Sequence, residues 1–335
     1  MTAGNGTYTG LGQNLGNDIT ATIAYITGKM DEIIEQEAKT GGMTADPALV
    51  QATGQAGSVK LATMETTGLG TYDKIKGYPR GGSKLTWQTY QLEADRAIAI
   101  TIDRRDSMET NGLVTAAAVM ANEMRENVIP EVDAYRMAKL YAALYAQNST
   151  NSNVKAEAKP TAANIVTKLT TAIDDVSNVT GYDEGMTLYV NAQLKSILDL
   201  SSEVTLVRQT NDTGTEFTRR VRTFNGVPIV YVPEKRMNTT VTLNDGYTSA
   251  LTDGTDLASQ DATKFGFTPG ALPIWFAVTT PGVANAVTAI NAPKIISAEV
   301  NQQYDGDTYM FRLFHDLIVP KNKCAGAYMS VKNSG

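Results

Sequence analysis

Leu85-Thr86-Trp87-Gln88-Thr89-Tyr90-Gln91-Leu92-Glu93-Ala94-Asp95-Arg96-Ala97-Ile98-Ala99-Ile100-Thr101-Ile102-Asp103 is the stretch whose reading decides the fold. Leu85, Trp87 and Thr89 alternate with polar neighbours, and Ile98, Ile100 and Ile102 continue a period of two, the spacing of a strand with one buried face. Upstream, Val59, Leu61 and Thr63 alternate in the same way. Between the two runs lies Gly77-Tyr78-Pro79-Arg80-Gly81-Gly82, a cluster of turn formers. Residues 55–103 therefore predict one long β-hairpin. Its connection, 64–84, is too long for a tight turn, and loops of that length are usually functional or disordered. The loop holds Gly68, Gly70, Gly77, Gly81 and Gly82, so ordering it alone loses much entropy. It also carries Leu69, Tyr72, Ile75 and Tyr78, apolar groups that a free loop leaves in water. A partner surface would resolve that conflict, so these four residues are candidate intersubunit contacts.

Downstream, Leu113, Ala117, Met120, Met124 and Val128 recur at three- and four-residue spacing, and Tyr135, Met137, Tyr141 and Leu144 extend the apolar surface. One long helix is predicted over 110–147. Pro130 lies inside it, removes a backbone donor and clashes with the preceding turn at about 3 kcal/mol, so a kink or a break is expected there. Upstream of the hairpin, residues 1–16 are rich in Gly, Thr and Asn and read as unstructured until bound. A helix over 18–38 follows, capped by Asn17 or Asp18 and ended by Gly41 and Gly42. Its stripe of Ile19, Ile23, Ile26 and Met30, continued by Ile33, packs on its own chain or on another subunit.

Residues 148–160 read as a polar linker into a second lobe. There Ile165, Leu169, Ile173 and Val176 mark a helix, Met186–Val190 a strand and Ala192–Leu200 a helix. Val221–Val232 reads as a hairpin turning at Asn225-Gly226, a strong hairpin signal. Residues 238–264 read as loop, Ile274–Val278 as a buried strand and Val283–Ala289 as a short helix. Three closing strands are expected at Ile295–Val300, Thr308–Ile318 and Ala327–Val331, with Asp305-Gly306 turning between the first two.

The 335 residues carry a net charge of -6, with 19 % charged side chains. Nucleic-acid binders show a basic excess or stripe; Arg219, Arg220 and Arg222 form the one dense basic stretch. The single cysteine, Cys324, cannot form an internal disulfide, so no oxidising compartment is needed. No secretory leader is recognisable, and no run approaches the ~20 apolar residues of a membrane span. The chain reads as a soluble protein made in a cytoplasm.

No catalytic set emerges, and the chain reads as not an enzyme, with no cofactor and no metal. Asp103, Arg104, Arg105 and Asp106 read as a salt-bridged corner. His315 and Asp316 are neighbours on a strand, so their side chains should diverge. One His and one Cys do not make a zinc site. Gly68-Leu69-Gly70 and Gly81-Gly82 do not lead from a buried strand into a helix, as phosphate loops do.

The ordered series Gly68-Leu69-Gly70, Tyr72-Asp73-Lys74, Gly77-Tyr78, Leu85-Thr86-Trp87-Gln88-Thr89, Asp95-Arg96, Ile100-Thr101-Ile102-Asp103, Glu109-Thr110 and Pro130-Glu131-Val132-Asp133-Ala134-Tyr135 resembles the extended loop and spine helix of tailed-bacteriophage major capsid proteins. Phe224-Asn225-Gly226-Val227-Pro228-Ile229, Ala292-Pro293-Lys294 and Arg312-Leu313-Phe314-His315-Asp316 resemble later parts of the same family. The similarity runs collinearly over roughly 56–332.

The resemblance implies an α+β chain with the phage major-capsid-protein fold, shared with encapsulins. It implies an N-terminal arm (1–55), an extended β-hairpin loop (56–104), a peripheral domain with a long spine helix (105–155), an axial domain (156–292) and closing peripheral strands (293–335). Function would be that of a virion shell subunit, assembled in a host cytoplasm as pentamers and hexamers of an icosahedral head. Such a head encloses double-stranded DNA without sequence-specific binding and without a membrane. Partners would be a scaffolding protein, a portal and a maturation protease. Some relatives begin with a long helical scaffolding segment that is later cut off; here the arm begins near Met1, so scaffolding would be either a separate protein or already removed, and Met1 favours a separate protein. Some relatives cross-link a loop lysine to a neighbour's asparagine; Lys74, Lys76 and Lys84 lie on the matching loop and Asn322 in the tail. The alternative is an encapsulin-type compartment around an enzyme cargo.

Overall fold

The computed structural model describes residues 37–43, 50–52, 57–75, 77–105, 116–151, 153–181, 185–201, 204–209, 219–247, 264–302 and 305–333. The expectations for residues 1–16, the stripe Ile19, Ile23, Ile26 and Met30, Lys76 and Asp106 fall outside them. Of the helix expected over 18–38 only residues 37 and 38 are described, the first helical and the second not, followed by a turn over 39–42.

The architecture is mixed α and β, with strands predominating. Strands β1 (Val50–Ala52), β2 (Ser58–Thr66) and β3 (Ser83–Gln91) form a three-stranded antiparallel sheet in that order. β4 (Ala94–Asp103) follows. Then come α1 (Ala116–Glu123), a π-helical turn (Met124–Val128) and α2 (Ile129–Ala146). The second lobe contains β5 (Val154–Glu157), α3 (Ile165–Thr180), β6 (Thr187–Asn191), a 3-10 turn leading into α4 (Lys195–Asp199), β7 (Val204–Gln209), β8 (Arg219–Phe224) and β9 (Val227–Val232). It continues with β10 (Val241–Leu243), β11 (Phe267–Pro269) and β12 (Ile274–Thr279). The chain closes with β13 (Asn285–Ile296), β14 (Gly306–Ile318) and β15 (Ala327–Lys332).

A seven-stranded sheet in the order β5-β15-β12-β6-β9-β8-β7 forms the centre. Every residue of β12 is buried, because both faces of the sheet are covered. On one face Met137, Leu140 and Leu144 of α2 pack on Tyr189, Ala277 and Met329. On the other, Leu169, Ala172 and Val176 of α3 pack on Leu188, Phe276 and Val278. Asn225 (φ 47°) and Gly226 (φ 82°) make the β8–β9 turn. Two successive positive φ values match the twist of the flanking strands and favour Asn-Gly.

A second sheet, β13-β14-β4, carries the helical spine on one side. Met120, Met124 and Val132 pack on Tyr309, Phe311 and Leu313. α2 thus serves two sheets. The hairpin base is held by a small cluster of Val59, Leu61, Leu92, Val287 and Ile318.

Several expectations need correction. The hairpin ends at Gln91, not at 103. β4 pairs instead with β14, residue for residue from Ala94–His315 to Asp103–Gly306. Alternation marked β4 as a strand but carried no information on its partner. The supposed linker 148–160 contains β5, which pairs in parallel with β15. The loop expected at 238–264 contains β10, paired with β11. The short helix expected near 283–289 is the start of β13: pairing along the whole of β14 overrides the weak helical spacing of its Val and Ala residues. The spine is not broken at Pro130. Glu123, Val128 and Ile129 all keep helical dihedrals, and the Ile129 N–H donates to the Met124 carbonyl five residues back. This wider turn relieves the clash between the proline ring and the preceding carbonyls.

Candidate intersubunit surface

β2 and β3 project the connection 67–82 away from every core cluster. Thr67 and Gly82 close its neck: the Thr67 N–H donates to the Gly82 carbonyl at 3.1 Å, and the Gly82 N–H to Thr67 Oγ1 at 2.8 Å. At the tip, Asp73 bridges to Gly77, Asp73 Oδ1 accepts from the Ile75 N–H at 2.7 Å, and Gly77 takes φ 77°. Tyr72 and Tyr78 rest against each other with ring centroids 5.1 Å apart. The tip is therefore ordered by its own contacts, yet Leu69 is 106 % exposed, Ile75 95 %, Tyr78 87 % and Tyr72 57 %. Met64, Leu85 and Trp87 on the two strands are also exposed. Among the described residues this is the densest run of exposed large apolar side chains. Lys74 and Lys84 are exposed on the same element, and Asn322 is exposed in a 3-10 turn ahead of β15.

A buried polar hub, which the sequence reading did not single out, ties the chain together at the spine. Asp133 is fully buried on α2. Its carboxylate accepts from the Lys39 N–H (3.1 Å), the Thr40 N–H (3.0 Å), the Thr40 hydroxyl (2.7 Å) and Arg236 (3.2 Å). Arg136, one turn on, donates to the Thr40 carbonyl at 3.4 Å and to its hydroxyl oxygen at 3.3 Å. Burial pulls its guanidinium below the ordinary value, and Asp133 offsets part of that. Arg96 of β4 grips Glu131 with two nitrogens, at 2.6 and 3.1 Å. It also donates to the carbonyls of Asn244 and Gly266. The signal lay in Glu131, Asp133 and Arg136 within an otherwise apolar helix. Charged residues there read as a solvated face until the helix is known to be packed on two sides.

His315 and Asp316 do not diverge as expected. The register shift between Thr288 and Ile290 places its extra residue, Ala289, on β13, so the two β14 neighbours come together through Tyr135, whose ring meets one and whose hydroxyl meets the other. Both side chains are buried and meet Tyr135. The tyrosine ring meets the imidazole edge-on at 5.3 Å, and its hydroxyl donates to Asp316 Oδ1 at 3.0 Å. Burial first, and then Arg136 and Arg96, push the His315 pKa down to about 3. The imidazole is thus neutral, and its Nδ1 is buried with no partner among the described residues. At the corner after β4, Asp103 accepts from the Arg105 N–H at 2.8 Å and Arg104 lies 3.8 Å from Asp305. Among the described residues no group of three His, Cys, Asp or Glu side chains converges as metal ligands, and no helix is long and apolar enough to cross a membrane.

No family model matches the chain, and no curated protein matches it. Solved structures do. The mature capsid of bacteriophage PhiM1 matches at 14 % identity and a TM-score of 0.52, over 84 % of each chain. The capsid of cyanophage P-SCSP1u matches at 11 % identity and 0.52, over 88 % of this chain and 87 % of that one. A chain of Microbacterium phage Oxtober96 matches at 11 % and 0.50, over 87 % and 91 %. The architecture is that of a phage capsid chain. This protein therefore has the phage capsid fold, as the ordered motif series implied.

Proposed function

We propose that this chain is the major capsid protein of a tailed bacteriophage, assembling as pentamers and hexamers into the icosahedral head that encloses the genome. The observation that carries the reading is the fold, shared with phage capsid chains over most of both lengths. The exposed apolar tip of the β2–β3 hairpin supports it: Leu69, Tyr72, Ile75 and Tyr78 have no cover among the described residues and would gain a dry environment on a neighbouring subunit. In this reading residues 1–55 are an arm, 56–91 an extended loop, 92–155 and 293–335 a peripheral domain and 156–292 an axial domain. The role is structural and not enzymatic. Ile19, Ile23, Ile26 and Met30 belong to the same contact set. A scaffolding protein, a portal and a maturation protease are the expected partners, and assembly takes place in the host cytoplasm. Lys74, Lys76 and Lys84 are the candidates for a covalent link to Asn322 of a neighbour. With net charge -6 the subunit should bind free DNA weakly, so a motor rather than co-assembly would load the genome.

The test is assembly with and without the tip. Expressed with its scaffolding protein, the chain should form closed shells visible by negative-stain electron microscopy. A variant with residues 70–82 replaced by a short Gly-Ser linker should keep its thermal midpoint and form none. Shells from the shortened variant, or its unfolding, would contradict the role given to the tip. A wild-type chain that stays monomeric under all assembly conditions would contradict the function.

A further inference from the structure

β3 is a nine-residue strand at the edge of its sheet, and among the described residues it pairs only with β2. The hydrogen-bond pattern fixes which of its main-chain groups are free. The Thr67 N–H donates to the Gly82 carbonyl at one end, and the Leu92 N–H donates to the Gly57 carbonyl at the other. Alternation along the unshifted register between these ends turns Lys84, Thr86, Gln88 and Tyr90 toward β2. Ser83, Leu85, Trp87, Thr89 and Gln91 then present their N–H and C=O groups outward. Natural sheets blunt such an edge with prolines, bulges or several charges. This one has no proline, no register shift and one charged residue, Lys84. Leu85 and Trp87, 53 % and 43 % exposed, lie together on one face.

We propose that the free edge of β3 is an interface between two copies of this chain, paired antiparallel across a two-fold axis through Trp87. Trp87 is the midpoint of Ser83–Gln91, so this register alone pairs every outward group of one strand with one of the other. Ser83 faces Gln91, Leu85 faces Thr89 and Trp87 faces its own copy. The two Leu85 and two Trp87 side chains then share one face, at the direct and diagonal spacings where cross-strand side chains touch. Charge does not oppose the pairing. Lys84 faces Tyr90, and the two Lys84 side chains lie six residues apart, roughly 20 Å at strand rise, well beyond the screening length. A two-fold contact is self-complementary and cannot propagate a ring of five or six, which needs head-to-tail contacts. Where the chain assembles as proposed above, the β3 edge therefore joins neighbouring rings. The pairing itself does not rest on that reading.

Cysteines introduced one at a time read the register directly, because the native Cys324 is buried. Under mild oxidation of the full-length protein, Trp87→Cys should give a covalent dimer. Leu85→Cys alone and Thr89→Cys alone should give none, since like positions lie roughly 13 Å apart, beyond disulfide reach. Mixing Leu85→Cys with Thr89→Cys should restore the dimer. Thr89→Pro removes an outward donor and leaves the β2–β3 ladder intact, so it should abolish the Trp87→Cys cross-link without shifting the thermal midpoint. Absence of the Trp87→Cys dimer, or equal cross-linking at all three positions, would overturn the proposal. Dimers of the predicted register in a protein that builds no shell would uphold the pairing while contradicting the proposed function.

Discussion

At the scale of single residues, charges and a neutral imidazole inside the spine decide how the chain holds together. Asp133 has no exposure and four donors aimed at it. Removing one partner of a buried ionic network leaves the others uncompensated, at about 3–5 kcal/mol. Asp133→Ala should lower stability by that order in denaturant titration. Asp133→Asn, which keeps one acceptor, should cost less. His315 adds a pH dependence. Its folded pKa of about 3 lies below the ordinary 6.5, so between these values the unfolded chain binds the extra proton. Stability from this group is present in full above pH 6.5 and is lost as pH falls toward 3. The imidazole faces Tyr135, Arg136 and Arg96, with Asp316 beside it on the strand. Between pH 6.5 and 5, where carboxylates have barely begun to protonate, the wild type should lose about 2 kcal/mol more than His315→Phe. Equal pH slopes for the two proteins would show that His315 is not held neutral by its surroundings.

At the scale of elements, the spine shows how an irregularity can be structural rather than disruptive. Its buried positions run Met120, Met124, Ile129 and Val132, and the step of five between Met124 and Ile129 is the π turn. Asn127, exposed within that turn, supplies the additional residue. Deleting it should convert the turn to α and force Pro130 against the preceding carbonyl, at about 3 kcal/mol. Adding Pro130→Ala to the deletion should recover most of that loss, whereas Pro130→Ala alone should change little. Additive losses, measured by thermal unfolding, would mean that the π turn does not exist to accommodate the proline. Much of this level was legible in the sequence. Asn225-Gly226 gave its turn because backbone sterics at two residues settle it, and the α3 stripe gave its helix because one face alone is buried. The β13 error and the truncated hairpin have a common cause. Strand pairing across more than two hundred residues, as between β4 and β14, leaves no local trace. The polar hub was invisible for the same reason, since Thr40, Asp133 and Arg236 meet only in space. The exposed tip was legible, because glycine-rich backbone and large apolar side chains conflict within a single loop.

At the scale of the whole molecule, two sheets share one helix, and a hairpin with a wet apolar tip leaves the body. The spine packs on both sheets, and Asp133 and Glu131 tie it to Thr40 and to Arg96 of β4. In the function proposed above, the hairpin, whose tip makes only its own contacts among the described residues, is the part that another chain completes. The most direct measurement of that claim is a cryo-electron-microscopy reconstruction of particles formed by this chain with its scaffolding protein. The account predicts a closed shell of five- and six-membered rings in which Leu69, Tyr72, Ile75 and Tyr78 of each subunit are buried against a neighbour. Open or irregular aggregates, or a closed shell in which residues 67–82 remain in solvent, would contradict it.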